Sequence, residues 1–388
     1  MIKEIELTNW KSFSSAKLFI DPVTVLIGTN ASGKSNALEA LIFLQRIARG
    51  VSLTEALAGN ANLPGLRGGL EWATMKGASD FTLSILVAGM DDSYDLFYSI
   101  SAEIDSNKYR IIAESLCKKD RSQNFDVKYR ETYVDISHFY SILSYWQKAE
   151  VQGLEGLDEL TSTLQDVFIL DPIPSHMRGF SPLADMLNPD ASNIAGVMAA
   201  LSEDKKKELE NAVDQYVRHL PERDIQRIWA EPVGRFQSDA MLYCDEQWQP
   251  GSVETVDARG MSDGTLRFLA ILTALITRPS GILLVIEDVD NGLHPSRVEL
   301  LLRMLKEVGG RRGVDVLVTT HNPALLDTLG PEMIPSVTVA HRDPQTGHSQ
   351  LTLLEDVARL PKLLAGGSVG RLSSSGKLEQ TLSRREGE

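Results

Sequence analysis

The sequence GTNASGKS at residues 28–35 fits the pattern G-x-x-x-x-G-K-[ST], in which a glycine-rich loop closes around phosphate groups. Residues 22–27 (PVTVLI) predict a buried strand before the loop, and residues 34–48 (KSNALEALIFLQRIA) predict a helix with an apolar face after it. Because the helix begins within the loop, its N-terminal N–H groups point at the phosphates. A chance match in a glycine-rich loop would not account for the flanking strand and helix.

The positions of this loop have predicted contacts with a nucleotide. Backbone N–H groups around Gly28 and Gly33 surround the phosphates, Lys34 reaches the terminal phosphates, and the Ser35 hydroxyl is placed to ligate Mg²⁺. The other residues of this segment that we predict to contact nucleotide are Asn30, Ser32 and Asn36. The loop thus predicts a nucleotide ligand with Mg²⁺ as its cofactor, a property that many unrelated proteins share.

Three later segments narrow the class of protein. Residues 261–275 (MSDGTLRFLAILTAL) combine a short polar turn with an amphipathic helix. Residues 282–288 (ILLVIED) predict a buried strand that ends in two acids, and residues 314–321 (VDVLVTTH) predict one that ends in histidine. A GTPase or a kinase has no reason to carry such a turn so close before its acidic strand.

This order of motifs resembles the ATP-binding-cassette (ABC) ATPases. Residues 2–20 (IKEIELTNWKSFSSAKLFI) are similar to the N-terminus of the RecF, SMC and OLD-type ATPases, where an N-[FW]-[KR]-x-[FL] stretch precedes the phosphate loop. The acid pair continues into DNGLHP (290–295) and the histidine into NPALLD (322–327), as in the bacterial AAA-family ATPases of the RecF/OLD-like group. Many members of that group act in defence against phage or beside a toxin partner.

The resemblance implies ATP hydrolysis and a catalytic role for four residues. Lys34 would bind the terminal phosphates, and Glu287 would hold Mg²⁺ together with Ser35. Asp288 would orient or deprotonate the attacking water, and His321 would sense the γ-phosphate. The family usually has glutamate at the position of Asp288, and loss of a well-placed base costs roughly 10²–10⁴ in rate, so we expect slow turnover. The residues alone leave open a solvated strand end and a structural histidine.

The turn at residues 262–265 (SDGT) is implied to act between two copies of the chain. In ABC ATPases this turn does not reach the nucleotide of its own phosphate loop. Ser262 and Gly264 would instead contact the γ-phosphate bound by a second subunit, so that two ATP molecules join two heads. The turn lacks the second glycine and the glutamine of the transporter form, which argues against a transport subunit. The alternative is a plain helix cap.

Composition predicts a folded cytoplasmic protein. Apolar residues make up 43% and charged residues 24% of the chain, as in ordinary globular domains. Cys117 and Cys244 have no metal-ligand spacing and favour a reducing compartment. The sequence begins on a strand pattern rather than a secretory signal, and its apolar stretches are shorter than the about 18–20 residues of a membrane span. We therefore expect no membrane partner.

The net charge of −14 weighs against nucleic acid as the main partner. A module that binds duplex DNA usually carries a basic stripe, whereas the basic clusters here, such as Lys205–Lys207, are small. Paired heads can still assemble a basic groove from scattered residues, so DNA stays open as a partner. An acidic surface can alternatively hold a basic protein.

The motifs predict an α/β fold, that of a P-loop NTPase of ABC-ATPase type with an antiparallel β-subdomain and an inserted helical lobe. Residues 1–136 would form the N-terminal half, with the phosphate loop and the β-subdomain. Residues 137–257 would form the inserted helical or mixed lobe, and residues 258–388 the C-terminal half. A helix is predicted over 296–308, ending before Gly309-Gly310.

Several residues have two interpretations. Arg178 and Asn193 would either touch nucleotide or couple it to the helical lobe, or else form a structural salt bridge and a helix cap. The glutamine that senses the γ-phosphate between the lobes would be Gln165 or Gln147. Trp10 would either border the adenine or belong to the core.

Three functions follow from these alternatives. The leading one is an ATPase whose paired heads hold or activate a separate effector protein in an anti-phage defence or toxin-like system. The region between the phosphate loop and the 262–265 turn has no sustained heptads, and the sequence after His321 is short for a nuclease domain of the OLD kind. The others are a RecF-like ATP-gated DNA clamp in repair and a scaffold that uses nucleotide only for assembly.

Overall fold

The computed structural model describes residues 1–388 except 92, 106–107, 122–138, 146–155, 218–224, 250, 292–294, 328–329, 359, 365–366 and 383–388. The chain forms two compact units, of which the first comprises Met1–Val167 and Pro331–Glu388 and the second Phe168–Gly330. The three-part division at residues 136 and 257 stays a prediction. Gln147 lies outside the described residues.

The elements have the following bounds. The strands are β1 (Ile2–Trp10), β2 (Phe13–Phe19), β3 (Val23–Ile27), β4 (Asp80–Ala88), β5 (Tyr94–Asp105), β6 (Lys108–Asp120), β7 (Phe168–Leu170), β8 (Ser181–Pro182), β9 (Ile225–Val233), β10 (Asp239–Gln249), β11 (Ser252–Asp257), β12 (Leu283–Ile286), β13 (Asp315–Thr320), β14 (Val337–Arg342) and β15 (Ser349–Leu353). The α-helices are α1 (Lys34–Ala48), α2 (Leu53–Ala58), α3 (Ile142–Tyr145), α4 (Leu157–Gln165), α5 (Ile194–Ala200), α6 (Glu203–Ala212), α7 (Asp263–Thr277), α8 (Pro295–Arg312), α9 (Pro323–Asp327), α10 (Leu360–Leu364), α11 (Val369–Ser374) and α12 (Lys377–Leu382).

The first unit contains an antiparallel sheet with the order β2-β1-β4-β5-β6. Apolar residues alternate along β4 and β5, and their side chains are buried on one face because successive residues of a strand point to opposite faces. The aromatic rings of Trp10, Phe43 and Phe81 pack together with centroids 4.9 to 5.7 Å apart, which fixes helix α1 against this sheet. The predicted antiparallel β-subdomain is confirmed.

A buried carboxylate links this sheet to helix α3. Glu114 on β6 accepts hydrogen bonds from the hydroxyls of Tyr98 and Ser141 and from the backbone N–H of Ile142. Burial raises the pKa of the Glu114 carboxyl above its ordinary value, and the three hydrogen bonds offset part of that rise.

Strands β3, β14 and β15 of the first unit place the phosphate loop. Every residue of β3 is buried; β14 pairs with it in parallel, and β15 pairs with β14 in antiparallel. The register Val339↔Ile27 sets Ala340 beside Gly28, where β3 ends. Helix α1 spans residues 34–48 as predicted, so the loop between β3 and α1 lies at the carboxyl edge of these parallel strands.

The second unit contains the parallel strands β13-β12-β7 and a separate antiparallel sheet around β10. Strand β12 pairs with β13 on one side and with β7 on the other, in the register Ile286↔Val318 and Ile286↔Leu170. The residues that follow these three strands therefore lie along one edge. Helix α7, buried on nearly all sides, contacts α5, α6 and α8 and forms the centre of this unit's core.

Helix α8 differs from its predicted end. It continues through Gly309-Gly310 to Arg312, and Gly309 packs closely against the following backbone: a Cβ on Gly309 would lie 3.1 Å from the Val314 carbonyl oxygen. Gly313 follows the helix, and its φ of +64° suits a left-handed cap. The predicted stop before Gly309 is therefore wrong. Among the described residues, no helix combines the length and the apolar character needed to cross a bilayer.

Candidate functional site

The phosphate loop in the first unit has backbone geometry that only glycine satisfies at two positions. Gly28 has φ +150° and Gly33 has φ +114°. A Cβ on Gly28 would collide with the Ala340 carbonyl oxygen, and one on Gly33 would lie 2.6 Å from the Ser349 hydroxyl. Any other residue at either position would have a strained backbone and would clash with the neighbouring β14–β15 hairpin.

The polar groups of this loop fit a bound phosphate. The ammonium of Lys34 is buried and donates to the carbonyl oxygens of Gly28 (2.6 Å) and Thr29 (3.1 Å), folded over the loop. The Ser32 hydroxyl is buried, at 2% exposure, and has no hydrogen-bond partner among the described residues. An unpaired buried hydroxyl is costly, and a phosphate oxygen would satisfy it. Asn30 is exposed and Ser35 half-buried.

Residues 9–13 (NWKSF) hold the start of helix α1 through hydrogen bonds, a role that the motif alone did not indicate. The indole Nε1–H of Trp10 donates to the Asn36 carbonyl (2.8 Å), and Asn36 Nδ2 donates to the Ser12 hydroxyl (2.8 Å). Ser349 completes the chain, because its hydroxyl donates to Ser12 and its N–H to the Ser12 carbonyl. Trp10 is fully buried, so of its two interpretations the core position is the correct one.

The acid pair in the second unit lies in a turn beyond strand β12. Glu287 and Asp288 follow Ile286, and both are half-buried. Asp288 has φ +45°, an uncommon value for a residue other than glycine. Its N–H donates to the Thr319 hydroxyl (2.8 Å), and the next N–H, of Val289, donates to the Thr319 carbonyl (3.0 Å). Thr319, fully buried on β13, therefore holds the turn that presents Asp288.

His321 follows strand β13 and faces this acid. Its Nδ1 lies 3.5 Å from Asp288 Oδ1, and both side chains are substantially exposed. The chain before it is fixed by Thr320, whose hydroxyl donates to Asp290 Oδ1 (2.6 Å) and accepts from the Asn322 N–H (3.0 Å). The second unit thus brings Glu287, Asp288 and His321 to one strand edge.

A further carboxylate, Asp171, stands at the same edge and was missed by sequence reasoning. The register Ile286↔Leu170 places Asp171, the first residue after β7, next to Glu287. Burial raises the pKa of the Asp171 carboxyl, Arg267 opposes that rise, and the charges of Glu287 and Asp288 add to it. The only signal in the sequence is an acid directly after the short apolar run FIL.

Of the two candidate sensor glutamines, Gln165 lies within the described residues, and its hydrogen bonds connect two helices. Its Nε2 donates to the Ala48 carbonyl (2.7 Å), and its own carbonyl accepts from Arg49 Nη2 (2.6 Å). These bonds tie the end of helix α4 to the end of helix α1 within the first unit.

The turn at 262–265 caps helix α7. Ser262 is the N-cap residue, and its hydroxyl accepts from the Thr265 N–H (3.1 Å) and lies 2.8 Å from the Thr265 hydroxyl. Ser262 and Asp263 are exposed, whereas Gly264 is buried. The helix-cap alternative therefore describes the turn as it stands, and its exposed serine is compatible with a contact to a second chain.

The two residues of uncertain role in the second unit have different surroundings. Asn193 Nδ2 donates to the Met186 carbonyl (2.9 Å), and its Oδ1 accepts from the Asn188 N–H (2.9 Å); its side chain makes no cap hydrogen bond to helix α5. Asn193 therefore occupies the N-cap position of α5, as the helix-cap interpretation expects, but its side chain holds the preceding loop. Arg178 forms a salt bridge with Asp263 (2.6 Å), the kind of contact that its structural interpretation predicts.

The fold and the loop define a class, an α/β P-loop protein of ABC-ATPase type with an antiparallel β-subdomain. Residues 207–327 match the family described as "AAA domain, putative AbiEii toxin, Type IV TA system", and residues 1–62 match the family described as "AAA ATPase domain". The residues that we predict to contact nucleotide or metal all lie within these two segments. No curated protein matches the chain in sequence.

Solved structures that align with this chain include heads of SMC proteins. An SMC head bound to the C-terminal winged-helix domain of ScpA aligns with a TM-score of 0.56 at 13% identity, over 90% of this chain and 97% of that one. The SMC head domain from Thermotoga maritima aligns with a TM-score of 0.47 at 13% identity, over 91% and 98% of the two chains. The first alignment and the family matches confirm the resemblance to AAA-family ATPases of the RecF/SMC/OLD-like ABC type.

Proposed function

We propose that this protein binds ATP with Mg²⁺ and hydrolyses it slowly at sites shared between two copies of the chain, and that this nucleotide-driven assembly holds or activates a separate effector protein. The phosphate loop is the observation that carries the proposal. The loop offers an anion three features: two glycines at positive φ, the buried ammonium of Lys34, and the buried Ser32 hydroxyl that has no hydrogen-bond partner among the described residues. The nucleotide contacts assigned to Asn30, Ser35 and Asn36 belong to the same proposal.

Ser35 and Glu287 would hold Mg²⁺, which would supply positive charge to the bound phosphates. The chain's own groups would do the rest. Lys34 binds the terminal phosphates, and Asp288 accepts the proton of the attacking water. His321, 3.5 Å from Asp288, orients that carboxylate and senses the γ-phosphate. The turn that presents Asp288 is fixed by Thr319, but the short side chain of aspartate limits its reach, which supports slow turnover.

Two observations support assembly and an effector. Ser262 is exposed at the N-terminus of a buried helix, where the helix dipole favours a phosphate of a second copy. The segment 207–327 matches a family whose description names a toxin of a type IV toxin–antitoxin system, and an SMC head of the same fold was solved with a separate protein bound. The proposed effector belongs to an anti-phage defence or toxin-like system in the cytoplasm, and the toxin named in the family description supports the toxin-like form of this proposal. The DNA-clamp alternative stays a prediction.

The test is the mass of the protein in solution, by mass photometry or light scattering, without nucleotide and with ATP·Mg²⁺. We expect ATP to produce or tighten a dimer or larger assembly. Ser262→Arg should bind ATP as a monomer yet fail to assemble, because its bulk and charge fall at the shared contact. Ser202→Arg is the control for bulk and charge, since Ser202 is likewise an exposed N-cap residue, on α6, although unlike Ser262 it makes no side-chain cap hydrogen bond.

Normal assembly of the Ser262→Arg variant would contradict the role of the turn. A wild-type protein that binds ATP but keeps one mass would contradict pairing between identical chains. If the wild type releases phosphate and an Asp288 variant does not, the protein is an ATPase. A scaffold that uses nucleotide only for assembly would release no phosphate in either form.

A further inference from the structure

Arg178 spans from the loop after β7 to the turn that precedes helix α7. Its Nη1 donates to the carbonyl oxygens of Ala258 (3.0 Å), Arg259 (3.0 Å) and Met261 (2.7 Å). Its Nη2 donates to Asp263 Oδ1 (2.6 Å). One guanidinium therefore contacts three backbone carbonyls and one carboxylate within six consecutive residues, and the three carbonyls share the two hydrogens of Nη1. The fork geometry of arginine permits this set, and an ammonium would not reach all four.

The positive charge of the guanidinium stabilises the convergence of three carbonyls on one nitrogen. Carbonyl oxygens that point at the same place repel each other, and a cation between them offsets this repulsion. Helix α7 begins directly after the turn, and the Ser262 hydroxyl caps the N–H of Thr265. The conformation that presents Ser262 thus depends on Arg178, a residue more than eighty positions earlier in the chain.

Asp263 gives Arg178 a second task. Its side chain is 65% exposed and stands beside Ser262 in the first turn of α7. A carboxylate there is favourable for the helix dipole, but it repels any phosphate that approaches Ser262. Arg178, with its own side chain 28% exposed, forms an ion pair with this carboxylate at 2.6 Å and lowers the repulsion.

We propose that Arg178 is a positioning residue for the contact between two heads. It holds residues 258–263 in one conformation and neutralises Asp263, so that Ser262 meets the nucleotide phosphate of a second copy. The effect of Arg178 on pairing rests on the proposed function. The hydrogen bonds by which Arg178 holds the turn are present without nucleotide. The two parts are therefore measurable separately.

The first experiment measures ATP-dependent pairing by mass photometry in the wild type and in Arg178→Ala, Arg178→Lys and Arg178→Ala/Asp263→Asn. We expect Arg178→Ala to weaken pairing by about tenfold or more, with ATP binding to the monomer unchanged. Lysine should restore part of the loss, because it keeps the charge. The double variant should pair better than Arg178→Ala, because the uncompensated carboxylate is gone. Arg235→Ala, an exposed arginine of the same unit, is the control.

Two results would overturn the role in pairing. One is wild-type pairing by Arg178→Ala. The other is no recovery in the double variant, since a purely structural arginine would not be rescued by removing the charge of Asp263.

The second experiment measures amide hydrogen exchange over residues 258–266 in the nucleotide-free protein. Arg178→Ala should speed exchange of the Thr265 and Leu266 amides, which hydrogen-bond to Ser262, by about tenfold, whereas Arg235→Ala should not. If the wild type does not pair with ATP, the proposed function fails while faster exchange still supports the hold on the turn. Unchanged exchange would refute that hold whatever the pairing result.

Discussion

Replacing Lys34 with methionine tests the phosphate loop while keeping its packing. The lysine side chain is 8% exposed, and methionine retains most of the buried stem but removes the ammonium. Without nucleotide, that ammonium already bonds to the carbonyls of Gly28 and Thr29. The substitution therefore removes a predicted phosphate contact together with two hydrogen bonds inside the loop.

The size of the effect follows from the hydrogen bonds of the ammonium. A hydrogen bond to a charged group contributes about 1.5–3 kcal/mol, and each 1.4 kcal/mol changes Kd tenfold, so Kd should rise roughly 10- to 140-fold. Because the ammonium exchanges carbonyl partners for phosphate when ATP binds, we expect the lower part of this range. The assay is isothermal titration with ATP·Mg²⁺ under conditions that suppress turnover.

A matched variant separates affinity from stability. Lys76→Met also removes a lysine of the first unit, but Lys76 is exposed, so its Kd and thermal midpoint should stay at the wild-type values. The thermal midpoint of Lys34→Met without nucleotide shows how far the loop itself is loosened. A Kd of Lys34→Met equal to that of the wild type would refute the assignment of the loop as a nucleotide site.

Three other changes have defined outcomes. Asp288→Asn should slow phosphate release by roughly 10²–10⁴ and leave long-lived ATP-bound assemblies, and an unchanged rate would remove this residue as the base. Trp10→Phe keeps an aromatic ring but loses the bond to the Asn36 carbonyl, so urea unfolding should show a loss of about 1 kcal/mol, and an equal midpoint would exclude the role of this bond in holding helix α1. Glu114→Gln tests pH dependence: because the pKa of Glu114 is raised in the folded state, its contribution to stability is full below the ordinary pKa of glutamate and is lost as pH rises through the folded pKa. The glutamine variant should therefore gain stability relative to the wild type as pH rises above the ordinary pKa of glutamate, by about 1.4 kcal/mol for each tenfold increase in the proton affinity of the carboxyl on folding, and parallel stability curves would contradict this.

The features that sequence alone predicted are those set by neighbouring residues. The strand before the phosphate loop, helix α1 and the alternation in β4 and β5 all follow from local periodicity. The end of α8 was mispredicted because Gly309 serves a packing contact with Val314, which lies outside the helix. Local rules treat such a glycine as a stop signal.

The details of the candidate site depend on residues far apart in the chain. The left-handed backbone of Asp288 requires Thr319, on another strand. Asp171 joins the acid pair only through the pairing of β7 with β12. The link from Arg178 to the Asp263 turn likewise spans strands β8 to β11 and helices α5 and α6 in sequence. Motif spacing identifies residue types, but these pairings require the folded sheet.

The packing of Gly28 against Ala340, and of Gly33 against Ser349, has a consequence for biosynthesis. The ribosome makes the phosphate loop early, but the hairpin that closes around it comes roughly 300 residues later, or about 15–60 s at typical synthesis rates. A nascent chain, or one cut short before β14, lacks the wall of its nucleotide cradle. ATP would consequently bind only to a chain translated through Ser349, so that unfinished copies stay out of any assembly that nucleotide controls.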